Sequence, residues 1–352
     1  MNQTIVNVDL SSSNAQNIMT KLTTIIVYFY PIIAIVGAAA NLISFKIFSN
    51  KKFEKTIFSS YFRFITLADT FTLILPLNKF LELNLNIYIQ NMSEYLCKYR
   101  MYMTYVIPPI SGWTLALISL DRLISIVKPT KFLFRKSRIF QFMLCGSILA
   151  FNFVFYLPIL FASKFKIDDQ QTDYENISNK TVYFCEFNSI NYLYWMDLFN
   201  SVLIPFTFML TFTIFTLRAL FKSRNKANKH HQNQNKRRSK KKKKKVKNNM
   251  NKNDLKFAIT SVTLNLIFLI LNIPFCLYVV IYEYIKVKID HDMDSLIFSI
   301  TLLFYYSNFL SVFFINVIVN SLFKAEFYSM FGLTLTKKRS TSLTVINEPI
   351  PL

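Results

Sequence analysis

Charged side chains inside apolar stretches are where chemistry would start, because each must be paired or put to use there. This chain places Arg63 and Asp69 within Ile57–Leu77, and Asp121-Arg122-Leu123 near the end of Tyr102–Val127. A buried carboxyl at Asp69 calls for a partner cation or for a neutral hydrogen-bond network that holds it protonated. Arg122 calls for an acid. Asp254 stands at the start of another apolar stretch, where an acid would cap its own helix by complementing the helix dipole. Catalytic groups are thin by comparison. The three histidines, His230, His231 and His291, follow no metal-ligand spacing, and no nucleophile motif accompanies them. A membrane enzyme therefore has little to stand on. Of the four cysteines, Cys145 and Cys276 lie inside apolar stretches and read as small buried hydrophobes. Cys97 and Cys185 fall at the rim of one stretch and in a linker, as a disulfide or as two free thiols.

Composition says what must position these groups. The 352 residues are 53% apolar and 16% aromatic, with 37 Phe and 19 Tyr, and only 17% are charged. Soluble domains carry more charge than this, and a mean hydropathy of +0.32 points towards lipid. Yet the net charge is +22. A chain both apolar and basic has to segregate the two properties along its length. It does so: 218–256 holds 17 Lys and Arg against the single acid Asp254, including the run Lys240–Lys245. Such a block repels itself and lacks apolar surface to bury, so it reads as a disordered loop. A nucleic-acid arm or nuclear signal is the competing reading, and it loses because long apolar stretches flank the block.

Seven such stretches occur: Ile25–Phe48, Ile57–Leu77, Tyr102–Val127, Ile139–Phe161, Tyr192–Leu220, Phe257–Tyr282 and Ser295–Val319. Each reaches the roughly 20 residues that a helix needs to cross about 30 Å of hydrocarbon. Lipid offers the backbone no hydrogen bonds, so only helices or closed barrels span it, and these runs are too long for barrel strands. The expected fold is all-α and integral to the membrane: a seven-transmembrane helix bundle with a short amphipathic helix after the seventh span. Residues 1–24 would form an extracellular N-terminus, 25–321 the bundle, and 322–352 a cytoplasmic helix and tail. Residues 1–20 show no signal peptide, so the first span is expected to serve as the membrane signal.

Two signals orient the bundle. Linkers one–two (Lys51, Lys52, Lys55), three–four (Lys128, Lys131, Arg135, Lys136, Arg138) and five–six are cationic, while the alternate linkers carry Glu82 and Glu94, Asp168, Asp169, Asp173 and Glu175, and Glu283, Asp290, Asp292 and Asp294. The excess of Lys and Arg marks the cytoplasmic side. The four glycosylation acceptors, Asn2, Asn91, Asn176 and Asn179, all fall on the other side. The N-terminus is expected outside and the C-terminus inside, at the plasma membrane.

Motif spacing adds a family. Asp121-Arg122-Leu123 resembles the Asp-Arg-Tyr signature of rhodopsin-like (class A) G-protein-coupled receptors, with Cys97 25 residues before Arg122 and Pro129 seven after it. Gly37 and Asn41, Leu67-Ala68-Asp69, Pro205, Phe268 with Pro274, and Asn316-Val317-Ile318-Val319-Asn320 followed by Phe327 fall where that family places the markers of the other spans. Their joint order is the resemblance. It implies a Cys97–Cys185 disulfide, a lock between Arg122 and Asp254, a switch role for Asp121, Asn316 and Asn320, and a sodium ion at Asp69 with Asn41, Ser111 and Asn316 around it. Departures stand beside it: Asn272 for a Trp, Val317 for a Pro, Asn320 and Thr213 for tyrosines, and no Trp in the fourth span. Pro108-Pro109 is expected to kink the third span.

The resemblance also limits the ligand. Thr104 stands where amine receptors carry an Asp, and Leu310 where opsins carry the retinal-linking Lys. A neuropeptide is the favoured ligand, drawn by the acidic outer linkers, with Lys164–Ile190 as a hairpin lid. A small-molecule chemoreceptor of the same fold is the alternative, and a transporter or channel the more distant one, since seven spans show no repeat and do not halve. Tyr102, Thr104, Tyr105, Tyr278 and Tyr306 sit in outer halves of spans and are the candidate pocket residues. Inside, the basic linkers would meet a heterotrimeric G protein and anionic lipid. Neither a cofactor other than the sodium ion nor a nucleic acid is expected.

Overall fold

The computed structural model describes residues 16–54, 58–127, 137–167, 183–187, 191–237, 252–285 and 289–332. Within them stand seven helices long and apolar enough to span a bilayer: α1 Gln16–Phe48, α2 Ser59–Leu85, α3 Glu94–Val127, α4 Arg138–Ala162, α5 Trp195–Ala219, α6 Ile259–Tyr282 and α7 His291–Val319. They coincide with the seven apolar stretches. The first and third start earlier than hydropathy suggests, at Gln16 and Glu94, so α1 takes in part of the expected N-terminal segment 1–24. Extending a formed helix through polar residues costs far less than nucleating one. Large apolar side chains point outward all round the bundle: Ile35 is 69% exposed, Ile139 73%, Phe161 84% and Ile318 76%. Such a girdle suits hydrocarbon rather than water.

Proline sets most of the interruptions. It lacks an N–H and disfavours helical backbone in the residue before it. Helix α2 turns at Leu73 and Ile74 ahead of Pro76. Helix α3 breaks at Ile107, ahead of Pro108-Pro109, as the sequence predicts. Helix α4 turns at Tyr156 and Leu157 ahead of Pro158, and α5 widens to a π-helical stretch, Leu198–Leu203, ahead of Pro205. Helix α7 tightens to a 3-10 turn at Asn308–Leu310 without a proline. Helix α6 alone among these carries its proline, Pro274, inside continuous helix. Gly37 allows α1, α2 and α7 to close up, since a Cβ there would lie 2.5 Å from Leu73 Cδ1 and 2.9 Å from Leu310 Cγ.

Two features distinguish the ends of the bundle. At one end β1 (Ser163–Ile167) pairs antiparallel with β2 (Tyr183–Phe187), Phe165 standing opposite Cys185. This hairpin amends the all-helical expectation and matches the lid read from the linker. At the other end the short helix α8 (Ser321–Met330) follows α7. Its first turn is capped by Asn320, whose Oδ1 accepts the N–H groups of Leu322 at 3.2 Å and Phe323 at 3.3 Å. The basic segment 218–256 corrects an expectation. Helix runs from Ile204 to Arg237 and resumes at Lys252, so the disorder read for that segment fails at both flanks. Lys, Arg, Gln and Ala propagate helix well. Residues 238–251, with Lys240–Lys245, lie outside the described residues.

Candidate functional site

At the hairpin end, α2, α3, α5, α6 and α7 surround a cavity of about 640 Å³. Four of the five expected pocket residues line it: Thr104, Tyr105, Tyr278 and Tyr306. Tyr102 does not. It is buried on the α4 side, where its hydroxyl donates to the Phe153 carbonyl and its ring meets Phe153 edge-on. Tyr102, Thr104 and Tyr105 share the continuous helix Glu94–Val106, whose side chains turn about 100° per residue, so outer-half position alone does not predict which of them faces inward. The Cys97–Cys185 disulfide joins α3 to β2, with Cα atoms 5.6 Å apart. Beside it, Asn91 Oδ1 accepts the Cys185 N–H at 3.0 Å and Ser93 caps α3 by accepting the Leu96 N–H at 3.2 Å. Two residues of the Asn91 acceptor motif thus also hold local structure. Asn2, Asn176 and Asn179 lie outside the described residues.

Charge in the cavity wall is arranged in layers. Arg100 of α3 pairs with Glu82 of α2 at 2.8 Å, and Glu82 also accepts from Gln90 at 2.8 Å. Tyr278 of α6 donates to Asp294 of α7 at 3.0 Å. On α5, Asp197 Oδ1 accepts from the Tyr156 hydroxyl at 2.7 Å and the Ser201 hydroxyl at 2.5 Å. Behind Tyr156 a polar chain continues: Asn200 Nδ2 donates to Tyr156 at 3.2 Å and to Asn152 Oδ1 at 3.0 Å, and Trp113 Nε1 donates to Asn200 Oδ1 at 3.1 Å. The π-helical turn brings Asn200 and Ser201 onto this one network, a use to which such bulges are often put.

Deeper in the bundle lies Asp69, fully buried. Ser111 is close enough to act on it as a hydrogen-bonding neighbour, yet among the described residues neither carboxyl oxygen meets full hydrogen-bond geometry, and the Oδ1 atoms of Asn41 and Asn308 are likewise buried without a donor. Asn41 donates to the Phe309 carbonyl at 2.9 Å, which sets it against the 3-10 turn that contains Asn308. Asn316 spends its amide on the Val312 carbonyl of its own helix at 2.8 Å and receives Asn320 at 3.4 Å. Asp69 and Ser111 are thus neighbours, while Asn41 faces the 3-10 turn of α7. Asn316 belongs to a separate pair with Asn320, the residue that also caps α8.

At the α8 end, Asp121 and Arg122 are both buried, and the Arg122 guanidinium lies 3.0 Å from the centroid of the Phe58 ring. Asp254 stands in the first turns of the α6 helix, which runs from Lys252. Its side chain, and with it the Arg122–Asp254 lock, lies outside the described residues. A different link joins the same helices: Asn265 of α6 donates to Ser119 of α3 at 3.0 Å and to Thr213 of α5 at 2.8 Å. Around these groups Phe48 stacks on Phe62 at 4.7 Å and meets Phe323 of α8 at 5.1 Å. Glu326 of α8 accepts from Asn50 at 2.8 Å and pairs with Lys52.

Asp197, Glu82 and Arg100 were not among the residues that spacing singled out. Asp197 carried the signal nonetheless, as an acid inside the stretch Tyr192–Leu220. Asn265 gave none, because an Asn in an apolar span is common and only tertiary contact reveals its partners. The model of the family described as 7 transmembrane receptor (rhodopsin family) matches residues 40–311. No curated protein matches the chain.

Proposed function

The chain belongs to the rhodopsin family of seven-transmembrane receptors, and from that premise we propose that it binds an extracellular peptide at the hairpin end and activates a heterotrimeric G protein at the α8 end. The observation that carries this is the cavity of about 640 Å³, walled by five helices, one of which, α3, is tied to the hairpin by the disulfide. The hairpin end faces outward in this reading, at the plasma membrane, which the linker charges support. A bound ligand favours the state whose wall it fits best, and a few kcal/mol of differential affinity suffices to shift the population. Arg122 then acts at the far end, released from its packing on Phe58 as α6 moves. The cavity volume lies within the range of small-molecule sites, so it takes the terminal residues of a peptide or, in the second reading, one whole small molecule.

A sodium ion is a further part of this reading. The buried oxygens of Asp69, Asn41 and Asn308, which lack a well-formed donor among the described residues, with Ser111 beside Asp69, suit a small hard cation. Asp69, Asn41, Asn308 and Ser111 would hold it, and Asn316, committed to its own helix, would not. The ion would supply the positive charge that Asp69 lacks.

The test is guanine-nucleotide exchange on purified G proteins by the receptor in lipid nanodiscs, challenged with a pool of synthetic peptides and, separately, a small-molecule library. Peptide-stimulated exchange that Arg122→Ala abolishes while peptide binding persists is the expected result. A flat exchange response together with measurable solute flux in proteoliposomes would favour a transporter and overturn the reading.

A further inference from the structure

Within the cavity wall Arg100 and Glu82 neutralise each other. Asp294 accepts the Tyr278 hydroxyl and stands in the first turn of α7, where the helix dipole favours its charge. Lys79 also lines the wall, half-exposed on a long flexible side chain. Asp197 differs. Two hydroxyls, from α4 and from its own helix, fix its carboxylate in place, and both bind Oδ1. Oδ2 accepts no hydrogen bond among the described residues, and the residue lines the cavity. No Lys or Arg forms an ion pair with it there; the described ion pairs are Lys52–Glu326, Lys98–Glu94 and Arg100–Glu82. Neutral donors orient a carboxylate without cancelling its charge, and a charge held in a membrane protein without a counter-ion is retained only at a cost. Tyr305 of α7 and Cys276 of α6 lie within electrostatic reach of the same carboxylate. Phe275 packs against Tyr305 at 4.9 Å with the rings tilted, and both line the cavity, so aromatic rings are at hand that attract cations.

We propose that Asp197 is the anchor for a positively charged group of the ligand, a primary ammonium or a guanidinium, which binds Oδ2 while Tyr156 and Ser201 hold Oδ1. The ligand is then a cationic one: a peptide entering by a free amino terminus or by a Lys or Arg side chain, or a small organic amine. The proposal rests on the reading of this cavity as the ligand site, and it moves the cationic contact from α3, where Thr104 offers only a hydroxyl, to α5. Tyr156 is a positioning residue here. It touches the carboxylate from α4, and through Asn200 and Trp113 it ties that carboxylate to α3 and α5.

The experiment uses the full chain in nanodiscs and three probes with one ring and three charges: tyramine (cation), 4-ethylphenol (neutral) and 4-hydroxyphenylacetate (anion). Binding is read as a concentration-dependent rise in melting temperature. Tyramine is expected to stabilise the wild type and the other two much less, since a charge-assisted hydrogen bond is roughly twice as strong as a neutral one. Asp197→Asn should weaken tyramine at least about tenfold in apparent affinity. Glu94→Gln, which removes an exposed acid engaged only with Lys98, should leave it unchanged and so exclude general attraction by the acidic surface. Equal stabilisation by the neutral probe, a tyramine effect that survives Asp197→Asn, or no effect of any probe on the wild type would each overturn the anchor. If Asp197→Asn does not fold, the charge series on the wild type decides alone. Nucleotide exchange is scored separately with the peptide pool, so a receptor that signals yet shows no charge preference sinks the anchor and spares the receptor reading.

Discussion

The two ends of the bundle are built from similar residues and put them to opposite uses. At the hairpin end, tyrosines and charges stand around open space, and the helices that bear them are broken at Ile107, Tyr156 and Leu198–Leu203. At the α8 end, phenylalanines fill the space: Phe48, Phe53, Phe62, Phe313 and Phe323 join one buried cluster with Ile65, Leu115 and Leu264. Arg122 is packed against Phe58 in that half rather than displayed in a cavity. The contrast separates two tasks. A wall that receives a ligand needs fixed polar groups around a void, so its polar network can be elaborate and its backbone irregular. A closed end that opens on demand needs contacts that are individually modest and break together. Packed cores are bistable rather than continuously deformable, which lets a small shift at one end become a discrete change at the other.

The largest effect should come from breaking the hairpin end. Cys97→Ala opens a bridge spanning 88 residues of sequence, and loop closure on that scale is worth about 4.6 kcal/mol before native-state strain is counted. The variant should melt well below the wild type in detergent and lose the tyramine and peptide responses together, because α3 and β2 are no longer tied. If it melted like the wild type, the hairpin would be held by β1 and Asn91 alone, and the disulfide would be incidental to the cavity.

The next effect sharpens the comparison from the other side. Asn265 joins α6 to α3 and α5 through Ser119 and Thr213, a polar link within a phenylalanine-rich half. Hydrogen bonds between membrane helices average about 0.6 kcal/mol and reach about 1.7. Asn265→Leu keeps the volume and removes both. If these bonds favour the closed state, losing about 1 kcal/mol should raise basal nucleotide exchange by about fivefold, with ligand affinity rising in the same direction. Unchanged basal exchange would show that the link serves packing in both states. A lock between Arg122 and Asp254 would give a similar rise in Asp254→Ala, so the double variant tests whether the two contacts act independently.

How much of this could be read from the sequence follows the same division. Hydropathy and length located all seven spans, and Pro108-Pro109 marked the break in α3, because those rules act locally; the breaks ahead of Pro76 and Pro158 follow the same rule but were not read from the sequence. The disulfide came from family spacing, since no local rule chooses a partner for Cys97. Cavity-lining residues were legible only in part. Thr104, Tyr105, Tyr278 and Tyr306 face inward, but Tyr102 packs against Phe153, because position along a span says how deep a residue lies and not which way around the helix it points. Asp197 was visible as an acid inside an apolar stretch, yet its surroundings were not: Tyr156 lies 41 residues away in sequence. Asn320 shows a different limit. Motif position suggests a switch, and the structure adds the plainer role of N-cap to α8.

The smallest effect should come from α8 itself. Glu326 is largely buried and takes hydrogen bonds from Asn50 and Lys52 in the turn after α1. Lys52 is 63% exposed, so its share is screened and worth well under 1 kcal/mol. The Asn50 contact, to a charged acceptor in a partly buried place, is the larger share. Glu326→Gln keeps the shape and a hydrogen bond to Asn50 while removing the charge, and should lower stability by about 1 kcal/mol or less. Phe313, Phe323 and Phe327 would still hold α8 to α7 through edge-on rings at 5.3–6.0 Å. The expected reading is a melting point lowered by a few degrees at most and ligand response intact. A large fall would mean that the ion pair, rather than the aromatic packing, holds the closed end together. That end would then resemble the cavity wall in depending on placed charge, and the contrast between the two halves would fail.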